Sequence, residues 1–302
     1  MADQNRVEGA SVGTSLGHKS ARGALNALNF ARRKPLGAVG LLTCATFLII
    51  GLFANVVSPY DPNFGGTTKE RLQGPSAKHW FGTDELGRDM FSRVVSGTTT
   101  SLKVAFACIA IGSFSGFILG IVSGYFGGWV DLVLQRITES LQAFPGILLA
   151  LTLVAVLGGG LGAVIIAISV AFTPGPLRVI RGVVLSAKQN VYVDAARVIG
   201  ASNVRIMLRH ILPNVLPTFL VLASVALGGA ILVESSLSFL GLGVPPPNPS
   251  WGRMLSGNAQ QYALAAPWMV IFPGAAISLM VLGFNLLGDA LRDIWDPRLR
   301  GR

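Results

Sequence analysis

YVDAARVIGASNVRIMLRHILP, residues 192–213, is a charged, helix-forming stretch set between two long apolar runs. The runs by themselves say only that the chain sits in lipid. This stretch says what kind of membrane protein it is, because its polar residues must be held by something outside the hydrocarbon. Residues 189–199 place Val191, Ala195, Val198 and Ile199 mostly on one side of a helix, and Gly200 supplies a left-handed cap. Ser202 caps a second helix that runs through Met207 towards Pro213. The outline is a helix-turn-helix, but a piece tethered at both ends to membrane spans is badly placed to enter a DNA groove. Two readings stay open: the first helix fills a groove in a partner protein, or it lies flat on lipid headgroups.

Outward from this stretch the chain is oily. Of its 302 residues, 51% are hydrophobic and 13% charged, about half the charge that a soluble domain carries. The apolar residues are gathered into blocks. Residues 36–57 carry no charge and as a helix cover about 33 Å, enough for a hydrocarbon core of about 30 Å. Further spans are read at about 101–125, 137–157, from 163 through the Pro174/Pro176 interruption, 215–233 and 267–288. The expected fold class is therefore all-α, a polytopic membrane protein of about six transmembrane helices. Residues 1–35 read as a polar tail, 58–100 as a segment outside the membrane, 101–288 as the core containing the charged stretch (188–213), and 289–302 as a second tail.

Within the 58–100 segment, Thr83-Asp84-Glu85 reads as an N-cap followed by acids, and Leu86, Met90, Val94 and Val95 share a face. That pattern predicts a short amphipathic helix over 84–96 lying in the interface. In the second span Gly112, Gly116, Gly120 and Gly124 stack on one face, where small residues let another helix come close. Pro145 is expected to bend the third span, and Glu139 to pair with Arg136 one turn away.

Net charge is +10, which in a membrane protein marks the cytoplasmic loops rather than nucleic-acid binding. Six spans put both termini on one side. Seventeen Lys and Arg fall there, with the 192–213 stretch, against six on the other side. The termini and the stretch are therefore expected in the cytoplasm.

Several chemistries are excluded or left without residues. Cys44 and Cys108 both lie in apolar runs, so neither a disulfide framework nor a zinc site is expected. The run 158–162, GGGLG, lacks the Lys-Ser or Lys-Thr of a phosphate loop, and nothing else in the chain fits that motif. His18, His79 and His210 lie in separate segments, giving no catalytic cluster. Glu139 and Glu234 fall near span ends, against an ion-coupled transporter with acids at the midplane. No catalytic, cofactor-binding or metal-binding residue is assigned.

The stretch also resembles a known pattern. Asp194-Ala195-Ala196, three residues, Gly200, then Leu212-Pro213 resembles the EAA motif of ABC importer permeases (E-A-A-x3-G-x9-I-x-L-P). Asp194 stands where that motif has Glu, and His210 where it has Ile, with Ile211 beside it. The segments FGTDELGRDMFSR (81–93), GYFGGWVD (124–131), SFLGLGVPPPNPSWG (238–252) and GDALRDIWDPRLR (288–300) are similar to the peptide/nickel class of these permeases, to the second of its two permease subunits. The resemblance covers nearly everything from the first span onward. It implies a bacterial inner-membrane importer subunit for dipeptides or oligopeptides, with nickel or another small solute as the alternative.

The same resemblance implies a homologous permease partner, two cytoplasmic ATPases that carry the ATP and Mg, and an extracytoplasmic binding protein. It implies that Asp194, Ala195, Ala196, Arg197 and Gly200 form a coupling helix, between the fourth and fifth spans, that sits in a cleft of an ATPase.

Overall fold

The computed structural model describes residues 34–295. Most of the expected 1–35 tail and the end of the 289–302 tail lie outside the described residues. Every regular element among those residues is a helix, apart from one isolated bridge between Thr83 and Asp89.

The first span, α1 (Pro35–Leu52), starts on a proline whose missing N–H costs nothing at that position; a short α2 (Ala54–Val57) ends it. Next come α3 (Met90–Cys108), a π turn (Ile109–Ser113) and α4 (Phe114–Phe126), one run of 37 residues. At 1.5 Å per residue that run is about 55 Å long, so it projects well beyond the hydrocarbon. The helices α5 (Gly128–Gln142) and α6 (Gly146–Val156) follow, then α7 (Gly160–Phe172) and α8 (Pro174–Ala187) as another continuous span. The helices α9 (Val191–Val198) and α10 (Asn203–Ile206) come next. A π turn (Met207–Ile211) leads into α11 (Leu212–Phe239). Short α12 (Trp251–Met254) and α13 (Asn258–Gln261) precede the last span, α14 (Trp268–Trp295). Among the described residues five helices are long and apolar enough to cross a membrane, or six if α5 and α6 count as one broken span.

Two sequence expectations need correction. The helix expected over 84–96 is not a separate element: residues 84–88 form a tight turn, and the helix begins at Met90 as the first turns of α3. The reason is local hydrogen bonding. The Asp84 carboxylate accepts from the Leu86 and Arg88 amides, each at 2.9 Å, and Gly87 takes φ +74°. A side chain that captures nearby amides offers the backbone an alternative to helix. The N-cap is Asp89, whose carboxylate accepts from the Ser92 amide at 2.8 Å. The span expected at 137–157 is likewise not one bent helix. It breaks at Ala143–Pro145 into α5 and α6, turned by 90°.

The spans are held by close backbone approach. A Cβ added at Gly112 or Gly116 would run into the carbonyl oxygen of Ser169 or Thr173. At Gly120 and Gly124 it would come within 2.8 Å of the Leu177 carbonyl oxygen and of Val184 Cβ. The four-glycine face therefore lies along α7 and α8, so α4 and α8 meet nearly backbone to backbone. Gly40 of α1 does the same against Leu286 and Leu287 of α14.

Two apolar cores result. One fills the membrane bundle among α3, α6, α7, α11, α12 and α14. The other gathers Phe117, Ile121 and Tyr125 of α4 with Ile180 and Val184 of α8 beneath α9 and α10.

Candidate functional site

The helix α9 has two unlike faces. Val193 and Ala196 are buried in the second core with Ile206, Ile211 and Val215. On the other side Val191 is 83% exposed, Val198 86% and Ile199 84%, with Ala195 also exposed. Asp194 and Arg197 flank this apolar face and pair with each other at 3.1 Å. Valine and isoleucine side chains each gain about 1.5–3 kcal/mol when buried, so three left bare form a surface with something to gain by docking.

The end of α9 is sharply defined. Ile199 is the C-cap and Gly200 follows at φ +79°. The Gly200 amide donates to the Arg197 carbonyl at 2.9 Å and the Ala201 amide to the Ala196 carbonyl at 3.0 Å. This pair of bonds is the Schellman closure. Nothing lies within 4 Å of a Cβ built on Gly200, so the requirement for glycine is conformational and not spatial. Ser202 then caps α10, accepting from the Arg205 amide.

Polar contacts fasten α9 and α10 to the spans, and others tie together the span ends that flank them. Tyr125 Oη donates to Asn203 Oδ1 at 2.9 Å. Lys188 Nζ reaches the carbonyls of Gly124 and Tyr125 at 3.4 and 3.1 Å, a cation at the C-terminal end of α4. Arg181 Nε and Nη2 grip the Asp131 carboxylate at 2.5 and 2.6 Å, and Ser123 Oγ donates to that carboxylate too. Asn214 Nδ2 donates to the His210 carbonyl at 2.6 Å and to Tyr192 Oη at 3.1 Å. The π turn before Pro213 lets the Leu212 amide reach the Met207 carbonyl where proline has no amide of its own. Displacing α9 and α10 therefore pulls on the ends of α4 and α11. A groove of about 510 Å³, lined by Val179, Val183, Ala187 and Tyr192, runs beside it.

The structure thus brings Asp194, Ala195, Arg197 and Gly200 together on one surface patch, turns Ala196 inward into the second core, and puts the four glycines along the helices that support it. His210 has an exposed neighbour in Leu208, while Ile211 is fully buried, so the apolar contact is made one residue later than the motif has it. Tyr125, Lys188, Asp131, Arg181 and Asn203 went unread in the sequence. Their signal was a polar group flanking a span, and it names no partner some 50–80 positions away.

At the far end of the bundle, the 58–89 segment folds on its own polar bonds. Asp84 binds Arg88 Nε at 2.6 Å, and Arg93 Nε lies 3.5 Å from the same carboxylate. Buried His79 holds Asp89 at 2.9 Å. Glu139 pairs with Arg136 at 3.1 Å on an exposed face. Glu234 lies near the end of its span, in the last turns of α11 before Phe239, and its carboxylate is fully buried, accepting from Ser238 Oγ at 2.7 Å and Ser101 Oγ at 3.2 Å. Among the described residues no group of three or more His, Cys, Asp or Glu could hold a metal ion.

Comparison with known proteins agrees with this geometry. Residues 116–301 match the family described as "Binding-protein-dependent transport system inner membrane component". The dipeptide transport system permease protein DppC of Alkalihalophilus pseudofirmus is 43% identical over 270 residues, covering 89% of this chain and 88% of its own. The glutathione transport system permease protein GsiD of Escherichia coli O6:K15:H31 is 44% identical over 270 residues, covering 89% of each. In fold, the chain is similar to an inward-facing MetNI methionine ABC transporter chain, with a TM-score of 0.53 at 20% identity, covering 68% of this chain and 97% of that one.

Proposed function

From the premise that the chain belongs to the binding-protein-dependent transport system inner membrane component family, and so is a multi-pass permease, we propose that α9 is where separate ATPases drive it. The observation that carries the reading is the bare apolar face of Val191, Ala195, Val198 and Ile199, rimmed by Asp194 and Arg197 on a rigid mount. A helix lying flat on lipid would need no polar ties to the spans. The bonds from Tyr125 to Asn203 of α10 and from Asn214 to Tyr192 of α9 favour a part that transmits force to the bundle. Burying the three bare β-branched side chains in an ATPase cleft is worth a few kcal/mol before ordering costs.

In this proposal the chain pairs with a homologous permease to form the path, and two cytoplasmic ATPases hold the ATP and Mg. Both termini and α9 face the cytoplasm, as the excess of Lys and Arg on that side supports. The substrate is a short peptide. The relatives named for dipeptide and for glutathione transport support that class over a metal chelate.

The test is a cysteine at Val198, crosslinked in membranes containing the whole transporter. A crosslink to an ATPase subunit, and uptake of radiolabelled dipeptide that stops when ATP hydrolysis is blocked, is the expected result. A crosslink to lipid alone, with uptake that survives ATP depletion, refutes the proposal.

A further inference from the structure

Three arginines meet at the end of the bundle opposite α9. Arg88, Arg93 and Arg253 line a cavity of about 290 Å³ between the 84–88 turn and α12, with Met90, Met254 and Met269 as its apolar lining. The carboxylates there, Asp84 and Glu85, both bind Arg88. Arg93 Nη1 donates to the Pro62 carbonyl at 2.8 Å. Arg253 Nη1 donates to the Val244 carbonyl at 3.3 Å, and among the described residues it has no carboxylate partner. The cavity lining therefore holds three cations against two anions.

The cavity is built, not incidental. Ser250 caps α12 at the Arg253 amide, and Trp251, fully buried, donates from Nε1 to the Val94 carbonyl at 3.0 Å. Pro246 and Pro247 stiffen the exposed part of the rim. Leu86, next in sequence to Glu85 of the lining, is 52% exposed, an apolar neighbour of the sort that keeps water from a docked charge.

We propose that this cavity receives a carboxylate side chain of the binding protein on which the family depends. The volume sits at the lower bound of about 300 Å³ for a small-molecule pocket, so it suits one acidic side chain better than a whole peptide. Charge complementarity in a partly enclosed site also fixes the register of a large partner. The inference rests on the proposed orientation, which puts this end outside the cell.

The test uses the complete transporter in lipid nanodiscs, titrated with its binding protein both empty and peptide-loaded. Arg253→Glu is expected to weaken both forms about tenfold or more, and Arg253→Lys much less. An Asp or Glu→Arg change on the binding protein should restore affinity to the Arg253→Glu transporter. Should Arg253→Glu fail to assemble, Arg253→Gln measured at rising ionic strength replaces it, with a flatter salt dependence than the unaltered complex expected. Unchanged affinity for both forms, or an unchanged salt slope, overturns the proposal. So does a defect confined to the loaded form, which would assign the cavity to the substrate's own carboxylate. Co-purification of the ATPases is read on the unaltered complex, so failure of the coupling reading is seen separately.

Discussion

Replacing Gly200 by valine isolates a place where a backbone angle decides the shape of the proposed coupling surface. Gly200 sits at φ +79°, and nothing lies within 4 Å of its Cβ position, so the cost of a side chain there is chiefly conformational. A side chain in the left-handed region costs about 1–2 kcal/mol, and a β-branched one sits at the upper end. What that cost opposes is the pair of closing bonds, Gly200 to Arg197 and Ala201 to Ala196. An energy of that size shifts the closed-to-open ratio of the cap about five- to thirtyfold. The spans themselves are untouched, because Val193, Ala196 and Ile206 remain in the second core.

The assay is uptake of labelled dipeptide by cells producing the whole transporter, normalised to the amount of permease in the membrane. Gly200→Val should lower uptake, by up to about five- to thirtyfold, at normal membrane abundance. Gly200→Asn should fall far less, since asparagine tolerates the left-handed region. Normal uptake by the valine variant refutes the argument. Equal loss in both variants does so as well, because it would mean that the partner needs an empty space and not a particular φ.

The glycine stack predicts a contrast along one helix pair. Gly116→Ala pushes a methyl into the Thr173 carbonyl and should cost about 1–3 kcal/mol of thermal stability in detergent. Gly182→Ala, with nothing within 4 Å, should not lower it, and similar melting curves for the two would remove the close-packing account. Asp131→Asn weakens a two-bond grip on a half-buried Arg181. About 2 kcal/mol should go, measured by unfolding in detergent, and Arg181→Met in the same chain should recover part of it. In the 58–89 segment, the hydrogen bond from Lys78, followed by that from the Thr67 amide, lowers the Glu70 carboxyl to about 2. Because this lies below the ordinary value of about 4.3, the clasp's contribution is complete above that value and fades as pH falls toward 2. Pepsin cleavage of the loop should therefore rise only near pH 2, and at a higher pH in Lys78→Met. An identical onset in the two would count against the clasp.

The elements legible in advance were those with a local cause. The spans follow from uninterrupted apolar runs, and the glycine face from a repeat of four. The turn at Gly200 follows from a glycine placed just after an amphipathic run. The misreadings came where a side chain chose between two local partners. Asp84 looked like the acid of a helix's first turn, yet its carboxylate holds the amides of Leu86 and Arg88 and delays the helix to Met90. Pro145 looked like the cause of a bend, but with Ala143 and Phe144 it ends one helix and turns the next by 90°.

By itself the sequence determined that this chain is a bundle of membrane helices, that it carries no nucleotide loop of its own, and that residues 194–200 form a capped amphipathic turn. Those are consequences of hydropathy, of missing residue types and of backbone preference, all of which act over a few neighbouring positions. Tertiary structure alone decided which face of α9 is bare, that Tyr125 meets Asn203 across 78 positions, and that Arg253 joins Arg88 and Arg93 around one cavity. Such pairings arise when distant helices pack, and composition and local periodicity hold no record of which distant groups will meet.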